Sequence, residues 1–116
     1  MLSEKENELL DAALKGKLEK VKSLVEEDID LNCQSDEGYT PLMYASRFGH
    51  FPVANYLIKN NADVNMGSKY SGQTALYMAV NGGNCDIVKL LVENGSYISD
   101  DIITRVSTTA VPLKIC

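Results

Sequence analysis

The chain carries few groups capable of chemistry. It has one histidine, His50, which could serve as a general base or a metal ligand. It has three cysteines, Cys33, Cys85 and Cys116, and two short acidic runs, Glu26-Glu27-Asp28 and Asp100-Asp101. Catalysis requires a nucleophile, a base and a stabiliser that converge, or a bound metal. The cysteines lack C-x-x-C spacing, and with a single histidine they make no zinc ligand set. The acidic runs lack the spacing of a calcium loop and read as solvated surface. Gly82-Gly83 fits neither GxxxxGK[ST] nor GxGxxG, so no phosphate cradle is expected. The reading is a chain with no catalytic residue, no cofactor and no metal.

Function then has to come from a surface, and composition bounds which kind. The 116 residues suffice for one domain, and 45% apolar with 23% charged residues is ordinary for a folded chain. The net charge of −5 and pI near 4.7 leave no basic patch to displace counterions from a phosphate backbone, so nucleic acid is not an expected partner. No apolar run approaches the ~20 residues of a membrane span. The N-terminal MLSEKENELL has no apolar core of a secretory signal. Together with an odd cysteine count this sets the expected location as cytoplasmic or nuclear.

The elements that would build such a surface announce themselves by repetition. Gly38-Tyr39-Thr40-Pro41-Leu42-Met43-Tyr44-Ala45 returns 34 residues later as Gly72-Gln73-Thr74-Ala75-Leu76-Tyr77-Met78-Ala79. Gly49 then matches Gly83, Leu57 matches Leu91, and Asn61-Ala62 matches Gly95-Ser96. A fainter copy stands 33 residues upstream, pairing Leu9 with Leu42, Ala12 with Ala45, Gly16 with Gly49, and Asp30-Leu31-Asn32 with Asp63-Val64-Asn65.

Each copy reads as two helices. Thr40 and Thr74 are N-caps whose hydroxyls accept from free N–H groups of the first turn. Pro41 follows at the first helical position, where its missing N–H is harmless. The first helix should run to about Phe48 and end at Gly49 in a left-handed conformation. The second should run from Phe51 to about Lys59, with Pro52 tolerated in its first turn. Phe51, Ala54, Leu57 and Ile58 form one apolar face, repeated as Cys85, Val88, Leu91 and Val92. Cys85 is therefore expected to be buried. Cys33 follows the loop Asn32 and is expected to be exposed, a candidate reactive thiol.

The stretch from Thr40 to Asn65, TPLMYASRFGHFPVANYLIKNNADVN, resembles the ankyrin repeat almost position by position. The resemblance covers residues 7 to about 99, as repeats of about 7–36, 37–70 and 71–99. It implies a mainly α solenoid of helix-turn-helix units joined by short hairpin-like loops. The histidine that usually follows Thr-Pro-Leu is Met43 in one copy and Tyr77 in the next, which should cost a local hydrogen bond but not the fold. The resemblance makes His50 part of a Gly-His pair at a helix start. It also likens Asn32 and Asn65 to loop asparagines that some ankyrin proteins carry hydroxylated.

The two ends differ. Lys20 and Ser23 stand where later copies have Val53 and Ile87, and Tyr56 and Leu90, as suits an end face with no neighbour. Ser3 and Glu6 have the spacing of a capping box, so the first helix should begin early. Beyond Ser99 the pattern lapses. Val111-Pro112-Leu113-Lys114-Ile115-Cys116 then reads like the opening of a fourth repeat, so residues 100–116 are either a tail or a truncated repeat. Such an end would leave Val88, Leu90 and Leu91 near an open face, inviting self-association.

In ankyrin repeats the loop tips and the exposed side of the first helices form a concave binding face. Carried over by the resemblance, that face is Asp36, Glu37, Tyr39, Arg47 and Phe48 in the second copy, and Tyr70, Ser71, Gln73 and Asn81 in the third. Lys15 is the poor equivalent in the first. Tyr, Phe and Arg are also the side chains enriched at interface hot spots. Phe48 has a second reading, in which it tucks against its own repeat. The expected function is a non-catalytic protein–protein interaction module, a scaffold or adaptor whose partner is another protein. The alternative is the ankyrin portion of a larger multidomain protein, an enzyme or a regulatory inhibitor.

Overall fold

The structure, a computed structural model, describes residues 2–96. The described residues form six helices in three consecutive pairs: α1 (Glu4–Lys15) with α2 (Leu18–Val25), α3 (Pro41–Phe48) with α4 (Phe51–Lys59), and α5 (Ala75–Gly82) with α6 (Cys85–Glu93). The described residues contain no strand. The fold is the mainly α helical repeat expected from the sequence. The first helices α1, α3 and α5 pack side by side in one layer, and α2, α4 and α6 form the second. The reading of a fourth repeat opening at Val111–Cys116, and of residues 100–116 as a tail, lies outside the described residues.

Local chemistry sets the helix ends. The hydroxyls of Thr40 and Thr74 accept from the N–H groups of Met43 and Tyr77 at 3.2 and 3.3 Å. The Thr40 N–H in turn donates to the Met43 sulfur at 3.4 Å. The hydrogen bond expected to be lost with the usual histidine is thus replaced, because a thioether sulfur is a weak acceptor at the same reach. Ser3 and Glu6 form a reciprocal capping box, and α1 accordingly runs 12 residues against 8 for α3 and α5. Each first helix ends on a left-handed glycine: Gly16, Gly49 and Gly83 have φ of 75°, 78° and 71°.

The core is one continuous cluster between the layers. Leu9, Leu24, Leu42, Met43, Leu57, Leu76, Met78, Ile87 and Leu91 are fully buried within it. The first repeat closes its outer side with polar groups: Lys20 and Ser23 are exposed, whereas Val53 and Ile87 at the equivalent position are fully buried. At the other end of the described residues Val88 and Leu91 are 3% and 0% exposed. Their stripe on α6 packs against α5 and α4, and Leu90 and Val92 beside it are half-buried.

The two cysteine expectations are reversed. Cys33 is buried at 5% exposure and joins the core, because the loop after Asn32 turns inward. Burial, with the charges of Glu6 and Asp30 behind it, pushes its thiol from 9.0 up to about 12, the opposite of a reactive thiolate. Cys85 opens α6 and is exposed. The first position of that helix lies at the margin of the apolar stripe, where Phe51 and Leu18 are themselves only half-buried.

Candidate protein-binding face

Two loop tips project between the helix pairs. In the first, Ser35 N–H donates to the Tyr39 carbonyl at 2.9 Å and Gly38 N–H donates back to Ser35 O at 2.8 Å. In the second, Ser68 N–H donates to Gln73 O at 2.8 Å and Gly72 N–H to Ser68 O at 2.9 Å. The second tip holds one more residue between its serine and its glycine, which accounts for the change in repeat spacing from 33 to 34. The tips are tied to each other. Lys69 N–H donates to Gly38 O at 3.0 Å, and the Gln34 amide donates to Gly38 O and Gly67 O at 3.3 and 3.1 Å. A side chain at Gly38, where φ is +91°, would meet the Lys69 Cβ at 2.8 Å, so glycine there permits the close approach.

Below the tips the asparagines knit adjacent repeats. Asn32 Oδ1 accepts from Asp63 N–H at 2.8 Å, and Asn65 Nδ2 donates to Gly95 O at 3.1 Å. The likeness of these residues to hydroxylated asparagines concerns side chains already engaged in inter-repeat bonds. His50 works in the same way on the other side of the helices. Its Nε2 lies 2.9 Å from Leu14 O, and its ring fills the space over Gly16. Its equivalent one repeat on is Asn84, whose amide donates to Ser46 O and Arg47 O at 2.7 and 3.1 Å.

The nine residues expected to form the binding face separate into two patches at opposite ends of α3, about 10 Å apart by the 1.5 Å rise per residue. The tip patch holds Asp36, Glu37, Tyr70 and Ser71, all exposed, with Tyr39 and Gln73 half-buried. Tyr39 stacks edge-on against Tyr44, ring centroids 5.6 Å apart at 76°, so part of it belongs to the core margin. Ser71 bonds Ser68 Oγ at 2.7 Å, and Gln73 N–H donates to the same hydroxyl at 3.1 Å, roles that shape the tip. Tyr70 is 70% exposed with the Lys69 ammonium 5.5 Å from its ring centroid. A shallow pocket of about 350 Å³ joins the tips, lined by Leu2, Gln34, Ser35, Asp36, Lys69 and Tyr70.

The helix-end patch holds Arg47, Phe48 and Asn81, all exposed in the last turns of α3 and α5. Half of Phe48 is exposed, with the Arg47 guanidinium 5.9 Å from its ring centroid.

Sequence reading missed the part of the face that the first repeat supplies. A groove of about 370 Å³ runs between α1 and the first tip, lined by Asn7, Leu10, Asp11, Leu14, Ser35, Asp36, Glu37 and Tyr44. Tyr44, half-buried, lines this groove. Its hydroxyl donates to Glu37 Oε1 at 3.1 Å and pairs with Ser35 Oγ at 2.8 Å. Burial first, and then the nearby Glu37 charge, raise its pKa and keep the phenol protonated as a donor, against an opposing effect of the Ser35 hydrogen bond. Asp11 and Leu14 could have been found by carrying Tyr44 and Arg47 back 33 residues.

Among the described residues no group of three His, Cys, Asp or Glu side chains is placed to hold a metal ion, and no helix is long and apolar enough to cross a membrane.

Comparison with known proteins bears on the whole array. The family described as ankyrin repeats (3 copies) matches residues 9–101. The chain is 36% identical over 85 residues to the mouse ankyrin repeat and SAM domain-containing protein 6, covering 72% of this chain and 10% of that protein. It is 38% identical over 88 residues to the Caenorhabditis elegans ankyrin repeat and KH domain-containing protein mask-1, covering 76% of this chain and 3% of that protein. It is 36% identical over 93 residues to the 26S proteasome non-ATPase regulatory subunit 10 of Dictyostelium discoideum, covering 79% of this chain and 40% of that protein. The chain thus spans less than half the length of each of these relatives. With its three helix pairs, its capped first helices and its tied loop tips, the chain belongs to the ankyrin-repeat family, whose repeats are protein–protein interaction modules.

Proposed function

We propose that the chain is a non-catalytic recognition module that binds another protein through its loop tips and the exposed side of its first helices. The contact residues are Asp36, Glu37, Tyr39, Tyr70, Ser71 and Gln73 at the tips, and Arg47, Phe48 and Asn81 at the helix ends. The observation that carries this reading is the exposure of Phe48 and Tyr70. They are the large hydrophobic side chains that the described residues leave open to solvent, and each stands beside a cation. Aromatic side chains and Arg are enriched at protein interfaces, and Tyr and Arg among their hot spots. The test is affinity capture with quantitative mass spectrometry on three forms: the unaltered chain, a Tyr39→Ala/Arg47→Ala/Phe48→Ala variant, and a Lys59→Ala/Glu93→Ala control on the second-helix layer. Partners retained by the control and lost with the triple variant support the face. Partners retained equally by all three forms remove it.

A second reading is favoured by the small share of each relative that the chain spans. In it the repeats are the recognition portion of a larger protein, an enzyme or a regulatory inhibitor. Transcript mapping past the codon for Cys116 tests it.

A further inference from the structure

The groove between α1 and the first tip has a composition that the rest of the face lacks. Its floor is apolar, made of Leu10, Leu14 and the Tyr44 ring, and Asn7 lies at one end. Its rim carries three carboxylates, Asp11, Asp36 and Glu37. Asp11 is paired with Lys15 at 3.3 Å, an exposed contact that another cation can replace at little cost. Among the described residues neither Asp36 nor Glu37 has an ion-pair partner. Glu37 is nevertheless held in place. Tyr39 N–H donates to Ser35 Oγ at 3.3 Å, Ser35 shares a 2.8 Å bond with the Tyr44 hydroxyl, and that hydroxyl donates to Glu37 Oε1 at 3.1 Å. The second carboxylate oxygen of Glu37 is left to accept from outside.

A cavity of about 370 Å³ is at the small end of the range for ligand sites, enough for one long side chain. An apolar floor with a carboxylate rim suits a side chain with an aliphatic stem and a cationic head. The planar guanidinium matches a fixed carboxylate in bidentate geometry and lies flat on a tyrosine ring, which an ammonium does less well. The chain's own net charge of −5 favours approach of a basic partner.

We propose that this groove receives an arginine side chain of the partner protein, its stem over Leu14 and Tyr44 and its guanidinium on Glu37 and Asp36. The proposal rests on the protein-binding reading above and adds to it the chemistry of the partner's anchor.

The experiment is a titration of the full ¹⁵N-labelled chain, followed by amide shifts, with N-acetyl-arginine methylamide and separately with its neutral citrulline counterpart at low salt. Saturable shifts confined to Leu10, Leu14, residues 35–39 and Tyr44, seen with arginine and absent with citrulline, are expected. A Asp36→Asn/Glu37→Gln variant, altered only at exposed tip residues, should bind roughly tenfold more weakly, as loss of a charge-assisted hydrogen bond implies. Shifts spread over all the surface carboxylates, equal shifts with citrulline, or unchanged affinity in the variant would overturn the proposal. If captured partners depend on Arg47 and Phe48 but are indifferent to Glu37→Gln, the arginine pocket fails while the protein-binding face stands.

Discussion

Nε2 of His50 stands 2.9 Å from the carbonyl oxygen of Leu14, a residue in the last turn of the preceding repeat's first helix. A carbonyl can only accept, so Nε2 carries the proton. The bond satisfies one of the orphan acceptors at the end of α1. Asn84 does the same for the last-turn carbonyls of α3, so the position after the left-handed glycine ties one repeat to the one before. His50→Ala should therefore lower stability by about 1–2 kcal/mol, a lost hydrogen bond plus an unpartnered carbonyl. His50→Asn should recover at least half of that. Urea unfolding by circular dichroism checks both, and equal losses for the two variants would mean that ring packing over Gly16, not the hydrogen bond, is what matters.

Leu57 is fully buried between the helix layers in the central repeat. Leu57→Ala should cost about 2–5 kcal/mol, as expected for a truncation that leaves a cavity. That is a large part of the stability of a small domain. A urea transition of the variant that coincides with the unaltered protein would contradict this placement of Leu57.

Ser46 occupies a position filled by Ala13 in the first repeat and Val80 in the third, yet its hydroxyl is buried with no hydrogen-bond partner. Burying an unpartnered hydroxyl is unfavourable, and serine is also a poorer helix former than alanine. Ser46→Ala should raise stability by about 1 kcal/mol. A thermal melt showing a lower midpoint for the variant would reveal a partner for the hydroxyl, such as a bound water.

Cys33 supplies a pH dependence. Its thiol ionises near 9.0 in an unfolded chain and near 12 in the folded one. The folded state thus favours the neutral form. The contribution is fully present below pH 9 and is lost as pH rises from about 9 towards 12, where the unfolded chain has already released its proton. Urea midpoints at pH 7 and pH 10.5 should fall further in the unaltered protein than in Cys33→Ala, since the other titrating groups are common to both. Equal falls would place Cys33 in water.

Much of this architecture was legible because its signals are local. Thr40, Pro41 and Gly49 act within one helix, through a hydroxyl reaching three residues along and a backbone turned to positive φ, so spacing alone locates them. Polar Lys20 and Ser23 marked the outer face because only their position in the stack distinguishes them from Val53 and Tyr56. Cys33 and Cys85 were misplaced because their exposure depends on how a loop turns inward and on where a helix margin falls, neither of which alignment between copies records. The groove was missed because Asp11 and Leu14 meet Glu37 and Tyr44 only through stacking of α1 on α3. The first repeat also lacks the Thr-Pro-Leu opening that would have drawn attention to them.

The extra residue in the second tip has a consequence for how such a molecule can change. Both tips are closed at their base by the same serine-to-glycine and serine-to-last-residue bonds, whether three or two residues lie between Ser and Gly. Length and chemistry at the apex are therefore uncoupled from the register of the helices. The side chains of Asp36, Lys69 and Tyr70 take no part in those closing bonds, so specificity can be rewritten there one residue at a time while the stack beneath keeps its spacing.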